Sequence, residues 1–212
     1  MGRTLAQQKT RVKKLIAALR KAHPEARLAL NFSNPLELLV ALILAAQARD
    51  DLVNSVTADL FQKYRTAADW AKLDENDVRR VNFYRNKAKA IRAAAARLLE
   101  QFGGRVPDNL ADLLSLPGVG RKTANIILGN AFGQPAIGVD THVLRLSQRL
   151  GLTKHTDPDK VEADLTPLVP ARDAVAFCHL LQFHGRRVCT AQNPDCPHCP
   201  VARLCPRIGV SA

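Results

Sequence analysis

The chain lacks the marks of several protein classes. Its first residues, MGRTLAQQKTRVKKLIAAL, hold no continuous apolar region and no small-residue cleavage site, which argues against a signal peptide. The most apolar stretch, Leu36 to Ala48, is too short to span a bilayer and includes Glu37 and Gln47. Sustained period-two alternation is missing, so a substantial sheet is excluded. No low-complexity linker and no fixed-period repeat interrupts the chain. Hydrophobic residues at 47% and charged residues at 24% exclude collagen-like and disordered chains. These absences leave a soluble, intracellular, all-α protein, and its 212 residues suffice for one large domain or two small ones.

Acidic residues are scarce: 19 Asp and Glu face 31 Lys and Arg, giving a formal charge of +12. The excess is concentrated. Residues 79–122 hold ten basic residues against Glu100, Asp108 and Asp112. A polyanion such as nucleic acid is the natural partner, although a solvated basic face would look the same. Cysteine is absent from the first 177 residues, and four of the five stand in the last 24, at Cys189, Cys196, Cys199 and Cys205. An intracellular chain does not keep structural disulfides, so this cluster points to metal. Thiolates suit both zinc and iron–sulfur centres, which leaves the metal open at this point. Cys178, in AVAFCHLLQFHG, reads as a buried small hydrophobe.

Apolar spacing predicts helices over 4–22, from Pro35 onward, and over 51–64, 74–81, 85–102, 108–114, 121–132, 141–150, 158–168 and 171–184. The helix beginning at Pro35, capped by Ser33 or Asn34, is apolar on all sides and is expected at the centre of its domain.

Two apolar helical segments flank Leu116-Pro117-Gly118-Val119-Gly120. Pro117 cannot continue the first helix, and Gly118 and Gly120 permit conformations and close approaches that a Cβ would block. The second helix presents unpaired N–H groups and its positive end, which can hold a phosphate without reading a base. Lys122 lies in the first turn of that helix beside Arg121, where dipole and neighbouring cation favour the nucleophilic amine. A simple phosphate contact is the alternative. Asp140, in GVDTHV, reads either as an N-cap or as a carboxylate that stabilises positive charge on a sugar.

Helix, LPGVGRKTA, helix and VDTHV together resemble the endonuclease III branch of the helix-hairpin-helix DNA glycosylases, and the spacing Cys189-x6-Cys196-x2-Cys199-x5-Cys205 is similar to that branch's [4Fe–4S] loop. The resemblance runs from about Asn31 to Cys205. It implies a glycosylase for oxidised pyrimidines with abasic-site lyase activity, in which Lys122 attacks C1′ and Asp140 assists. The four cysteines would hold the cluster. The resemblance places Gln47 at a gap-filling position and Phe83 at an apolar wedge, with Gly118, Gly120 and Arg121 on the DNA backbone and Asp50, Tyr84 and His142 by the substrate pocket. A wedge would fill the stack when a nucleotide is extruded. On its residue type alone, Phe83 could equally be a core aromatic.

The implied protein is a cytoplasmic, nucleoid-associated bacterial monomer acting on double-stranded DNA. Its helical-barrel subdomain would span 26–136, and residues 1–25 with 137–212 would form the iron–sulfur subdomain, with the active site in the cleft. The chain departs from the family pattern at Ala45, Arg49 and Asn82, where relatives commonly carry Ser, Thr and Gly. Arg49 is expected at the pocket edge, and Asn82 is expected to supply a positive φ before the wedge. An abasic-site lyase with weak glycosylase activity and a catalytically silent DNA-binding module are the competing readings.

Overall fold

The computed structural model describes residues 4–210. Among them no strand occurs, and ten α-helices account for most of the chain. In order they are α1 (Leu5–Ala22), α2 (Pro35–Ala45), α3 (Asp50–Lys63), α4 (Ala67–Trp70), α5 (Tyr84–Phe102), α6 (Leu110–Ser115), α7 (Arg121–Phe132), α8 (Thr141–Arg149), α9 (Pro158–Leu165) and α10 (Ala174–Arg187). The chain divides into two compact units, Leu28–Gln134 and Met1–Arg27 with Pro135–Ala212.

The Leu28–Gln134 unit is built on α2. Asn34 caps it by accepting from the Glu37 N–H at 2.9 Å, and Pro35 occupies the first turn, where its missing donor costs nothing. Six of its eleven residues are buried, so α2 sits beneath α3, α5 and α7. Leu38, Leu44, Trp70, Ile91 and Leu98 fill the space between. Each such leucine contributes on the order of 1.5–3 kcal/mol by leaving water.

The second unit packs α1 and α8 against α10, with α9 against α8. Thr4 and Gln7 form a capping box at the start of α1, and Val12, Leu15, Ile16 and Leu19 line its buried face. Arg11 is buried on that same face. Its Nη1 donates to the Leu150 carbonyl at 2.7 Å and the Leu204 carbonyl at 3.0 Å, and Nη2 reaches the Gly151 carbonyl at 3.3 Å. One guanidinium therefore satisfies carbonyls from two separate turns that no helix can.

Two helical expectations differ in detail, and one short helix was not expected. Residues 74–81 hold only a 3-10 turn, Glu75–Val78, because Asp74 caps Asn76 at 2.9 Å and the chain is turning again by Val81. Residues 171–184 begin as a 3-10 turn, Ala171–Asp173, before α10 starts, and α10 runs on to Arg187. The short α4, a single turn fixed by a Thr66–Asp69 capping box, has too few residues to show a period.

Candidate active site

The hairpin lies within the Leu28–Gln134 unit. After α6, the Leu116 N–H donates to Leu113 and the Val119 N–H to Leu116, so the chain closes two tight turns in succession. Gly118 adopts φ +81°, and a Cβ there would stand 3.1 Å from the Ala90 Cβ. The glycine is thus required twice over, by conformation and by the approach of α5. Gly120 corrects the expectation made for it. Its φ is −94° and a Cβ would meet nothing within 4 Å, so neither strain nor crowding demands glycine there. Gly120 leaves the start of α7 without a side chain over it, and α7 has no side-chain cap.

Lys122 is the second residue of α7 and is exposed. Together with Gln47, Phe83, Lys87 and Gly118 it lines an open cavity of about 370 Å³. Residues 35 to 75 positions away from Lys122 in sequence thus share one wall, which no local pattern could show. Phe83 is 60% exposed, which removes the core-aromatic alternative. Gln47 is also exposed, and both residues adopt left-handed backbone, with φ +53° at Gln47 and +54° at Phe83. The positive φ expected at Asn82 falls instead on Phe83 itself. Arg49 does not line the cavity; it is exposed and paired with Asp51. Asp50 and Tyr84, the first residues of α3 and α5, are half-buried and also lie outside the cavity wall.

Asp140 belongs to the other unit. Its Oδ1 caps α8 by accepting the Val143 N–H at 2.7 Å, and its Oδ2 accepts from Gln182 Nε2 at 3.0 Å. The N-cap reading is therefore realised, and the carboxylate is held by both oxygens. Gln182 escaped the sequence reading, although an amide within the apolar run of α10 is the signal that could have found it. His142, the second residue of α8, is half-buried, and Arg145 Nη2 lies 3.2 Å from its Nδ1. Burial pushes the His142 imidazole below its ordinary range, against the pull of Asp140. Gly185 of α10 makes this crossing feasible, since a Cβ would come within 2.9 Å of His142 Nδ1.

The four cysteines line a single pocket with Leu146 and Val201. Nitrogen atoms lie against three of their sulfurs. Arg149 Nη1 lies 3.3 Å from the Cys189 Sγ, the Arg207 N–H 3.3 Å from the Cys205 Sγ, and His184 Nε2 3.4 Å from the Cys199 Sγ. Arg145 and Arg149, four residues apart on α8, also hold the carbonyls of Cys189, Thr190 and Ala191. Neither arginine was singled out in the sequence. No disulfide joins any of the five cysteines. Burial pushes the Cys199 and Cys205 thiols up, and the Cys178 thiol to about 12, which marks Cys178 as an inert core residue. Among the described residues, no three His, Cys, Asp or Glu side chains converge on a point as one bound ion would require. Four sulfurs ringing one pocket, with N–H donors on two of them and an imidazole nitrogen beside a third, form a donor set suited to a thiolate-bound metal centre.

Residues 40–171 match the family described as HhH-GPD superfamily base excision DNA repair protein. The chain is 46% identical to endonuclease III of Synechocystis sp. over 96% of its own length and 95% of that protein. Identity to endonuclease III of Bacillus subtilis is also 46%, over 86% and 85% of the two chains. A solved structure of a trapped endonuclease III–DNA covalent intermediate, 43% identical, superimposes with a TM-score of 0.87 over 94% of this chain and 96% of that one.

Proposed function

Because the chain belongs to the endonuclease III family of HhH-GPD base excision DNA repair proteins, we propose that it extrudes a damaged nucleotide from double-stranded DNA and attacks it with Lys122, assisted by Asp140. The protein is a base-excision DNA glycosylase for oxidised pyrimidines with abasic-site lyase activity. The observation that carries the residue assignment is the cavity in which Gln47, Phe83, Gly118 and Lys122 meet.

The chemistry follows from an amine at that position. The Lys122 nitrogen donates its lone pair to C1′, and the glycosidic bond breaks with its electrons leaving on the base, which takes up a proton. Loss of the amine proton and opening of the sugar ring give a Schiff base, with the former ring oxygen protonated. Removal of a C2′ proton then expels the 3′ phosphate by β-elimination. Positive charge develops on the sugar during the first step, and a fixed carboxylate such as Asp140 stabilises it while serving the proton transfers. The exposed start of α7, with Gly118, Gly120 and Arg121, supplies backbone N–H groups and charge for a phosphate. Asp50, Tyr84 and His142 are assigned to the surroundings of the extruded base.

Incubation with a thymine-glycol duplex and with an abasic duplex tests the function. Base release from the first and strand cleavage of both are expected. Cleavage of the abasic duplex alone would reduce the protein to a lyase, and loss of both activities would leave a binding module.

We assign Cys189, Cys196, Cys199 and Cys205 to a [4Fe–4S] cluster, which would cross-link a C-terminal segment that holds no α-helix among its described residues. Purified protein is expected to be yellow-brown, with about four irons per chain. One zinc and no iron would sink the assignment. Cys199→Ser should lower both iron content and unfolding temperature, while Cys178→Ser should leave iron unchanged. Among the described residues, no helix is long and apolar enough to cross a membrane. With bacterial relatives and a DNA substrate, a monomer acting on the chromosome in the cytoplasm is the proposed setting.

A further inference from the structure

Lys87 sits where physical chemistry disfavours a lysine. It is 6% exposed, four residues into α5, where the positive end of the helix opposes a cation. Burial pushes its ammonium below the ordinary lysine range, and no carboxylate partner compensates. Its Nζ nevertheless has two partners. It donates to the Leu44 carbonyl at 2.8 Å and to the Asn82 Oδ1 at 3.0 Å. The Leu44 carbonyl needs that donor. At the end of α2 the Ala48 N–H bonds to Ala45 at 3.1 Å, so Leu44 lies beyond the helical ladder. Asn82 completes the connection, since its Nδ2 donates to the Gln47 carbonyl.

Four residues therefore join two loops that are separate in sequence, residues 44–47 and 82–83. Each loop carries one non-glycine residue in left-handed backbone, Gln47 and Phe83. Such a conformation costs roughly 1–3 kcal/mol per residue and persists only where neighbours over-determine it. At Phe83 the side chain is exposed and α5 has no side-chain cap; the Lys87 N–H bonds the Phe83 carbonyl at 3.1 Å, and the side-chain hydrogen bonds of Asn82 and Lys87 restrain the same turn further.

We propose that Lys87 and Asn82 form a clip that positions Gln47 and Phe83 together for insertion into the gap left by an extruded nucleotide. Lys87 and Asn82 are positioning residues, which act through Gln47 and Phe83 and touch no reacting atom. The proposal rests on the gap-filling reading of Gln47 and Phe83, and its test must separate the two.

The full-length protein and its Asn82→Ala, Lys87→Met, double and Phe83→Ala variants are compared on two duplexes. One is undamaged, and the other carries a tetrahydrofuran abasic analogue beside 2-aminopurine, whose fluorescence reports disruption of the stack. Asn82→Ala is expected to lower the preference for the damaged duplex roughly 2–10-fold, the range of one net hydrogen bond, and to shrink the fluorescence change. Binding to undamaged duplex and unfolding temperature should hold, because Asn82 is exposed and its φ suits alanine. Lys87→Met should act in the same direction, and the double variant should lose little more, as expected for members of one network. If Lys87→Met does not fold, Asn82→Ala carries the test by itself. Loss of preference in Phe83→Ala with full preference and fluorescence in Asn82→Ala would overturn the clip and leave the wedge standing. Full preference in Phe83→Ala would overturn the wedge and, with it, the clip.

Discussion

Lys122→Gln is expected to abolish borohydride trapping of the protein on an abasic duplex. Trapping requires reduction of a C–N double bond between an amine and the opened sugar, and glutamine has no amine to form one. The substitution is mild for the fold. Lys122 is exposed, it lies outside the buried face of α7, and glutamine is nearly as good a helix former. Stability should therefore stay within about 0.5 kcal/mol. Binding to undamaged duplex should weaken only by the loss of one cation, and the salt dependence should become shallower by about one phosphate contact. Undiminished trapping by Lys122→Gln would remove the residue from the nucleophile role. The cavity offers one other amine, Lys87, whose nitrogen is buried and committed to the Leu44 and Asn82 oxygens. A surviving adduct mapped to that residue would force a reassignment.

Asp140→Asn is expected to reduce single-turnover cleavage about 10²–10⁴-fold, the usual contribution of a positioned acid–base group. The substitution is diagnostic because of what Asp140 does in α8. Its Oδ1 accepts the Val143 N–H, and asparagine caps a helix about as well as aspartate. The Asn variant thus keeps the cap and removes the charge. Asp140→Ala removes both, so it should add a stability loss of about 1 kcal/mol to the same catalytic loss. Duplex affinity should hold or tighten in Asp140→Asn, since a negative charge has left the protein. Turnover that survives in Asp140→Asn but falls together with stability in Asp140→Ala would make the residue a cap and nothing more.

The distribution of apolar residues carried the helical class, because a period of 3.6 without alternation allows little else. Local chemistry was legible too. Asn34 caps α2, Asp140 caps α8, and Gly118 takes the positive φ that the turn before α7 requires. What escaped depends on tertiary placement. The left-handed backbone fell on Gln47 and Phe83, residue types that carry no signal for it, and passed over Asn82, which does. Lys87 looked like one basic residue among ten, and only the packing of α5 against α2 turns it inward. Arg145 and Arg149 were likewise unremarkable until their carbonyl partners around Cys189 came within reach. Single-turn elements such as Ala67–Trp70 are too short for any period to reveal.

The partners of α1 have a consequence for synthesis on the ribosome. Its buried face packs on residues from Ile137 onward, Arg20 reaches Asp173 at 3.0 Å, and Arg11 waits for carbonyls at 150, 151 and 204. Every residue named lies downstream of the whole Leu28–Gln134 unit. That unit can close on itself as soon as it emerges, while α1 is made before it and the partners of α1 after it. At about 5–20 residues per second the delay is on the order of ten seconds or more. Throughout that interval Val12, Leu15, Ile16 and Leu19 form an uncovered apolar stripe on a nascent chain. The apolar face of α1 thus stays open to chaperones until the residues that cover it emerge.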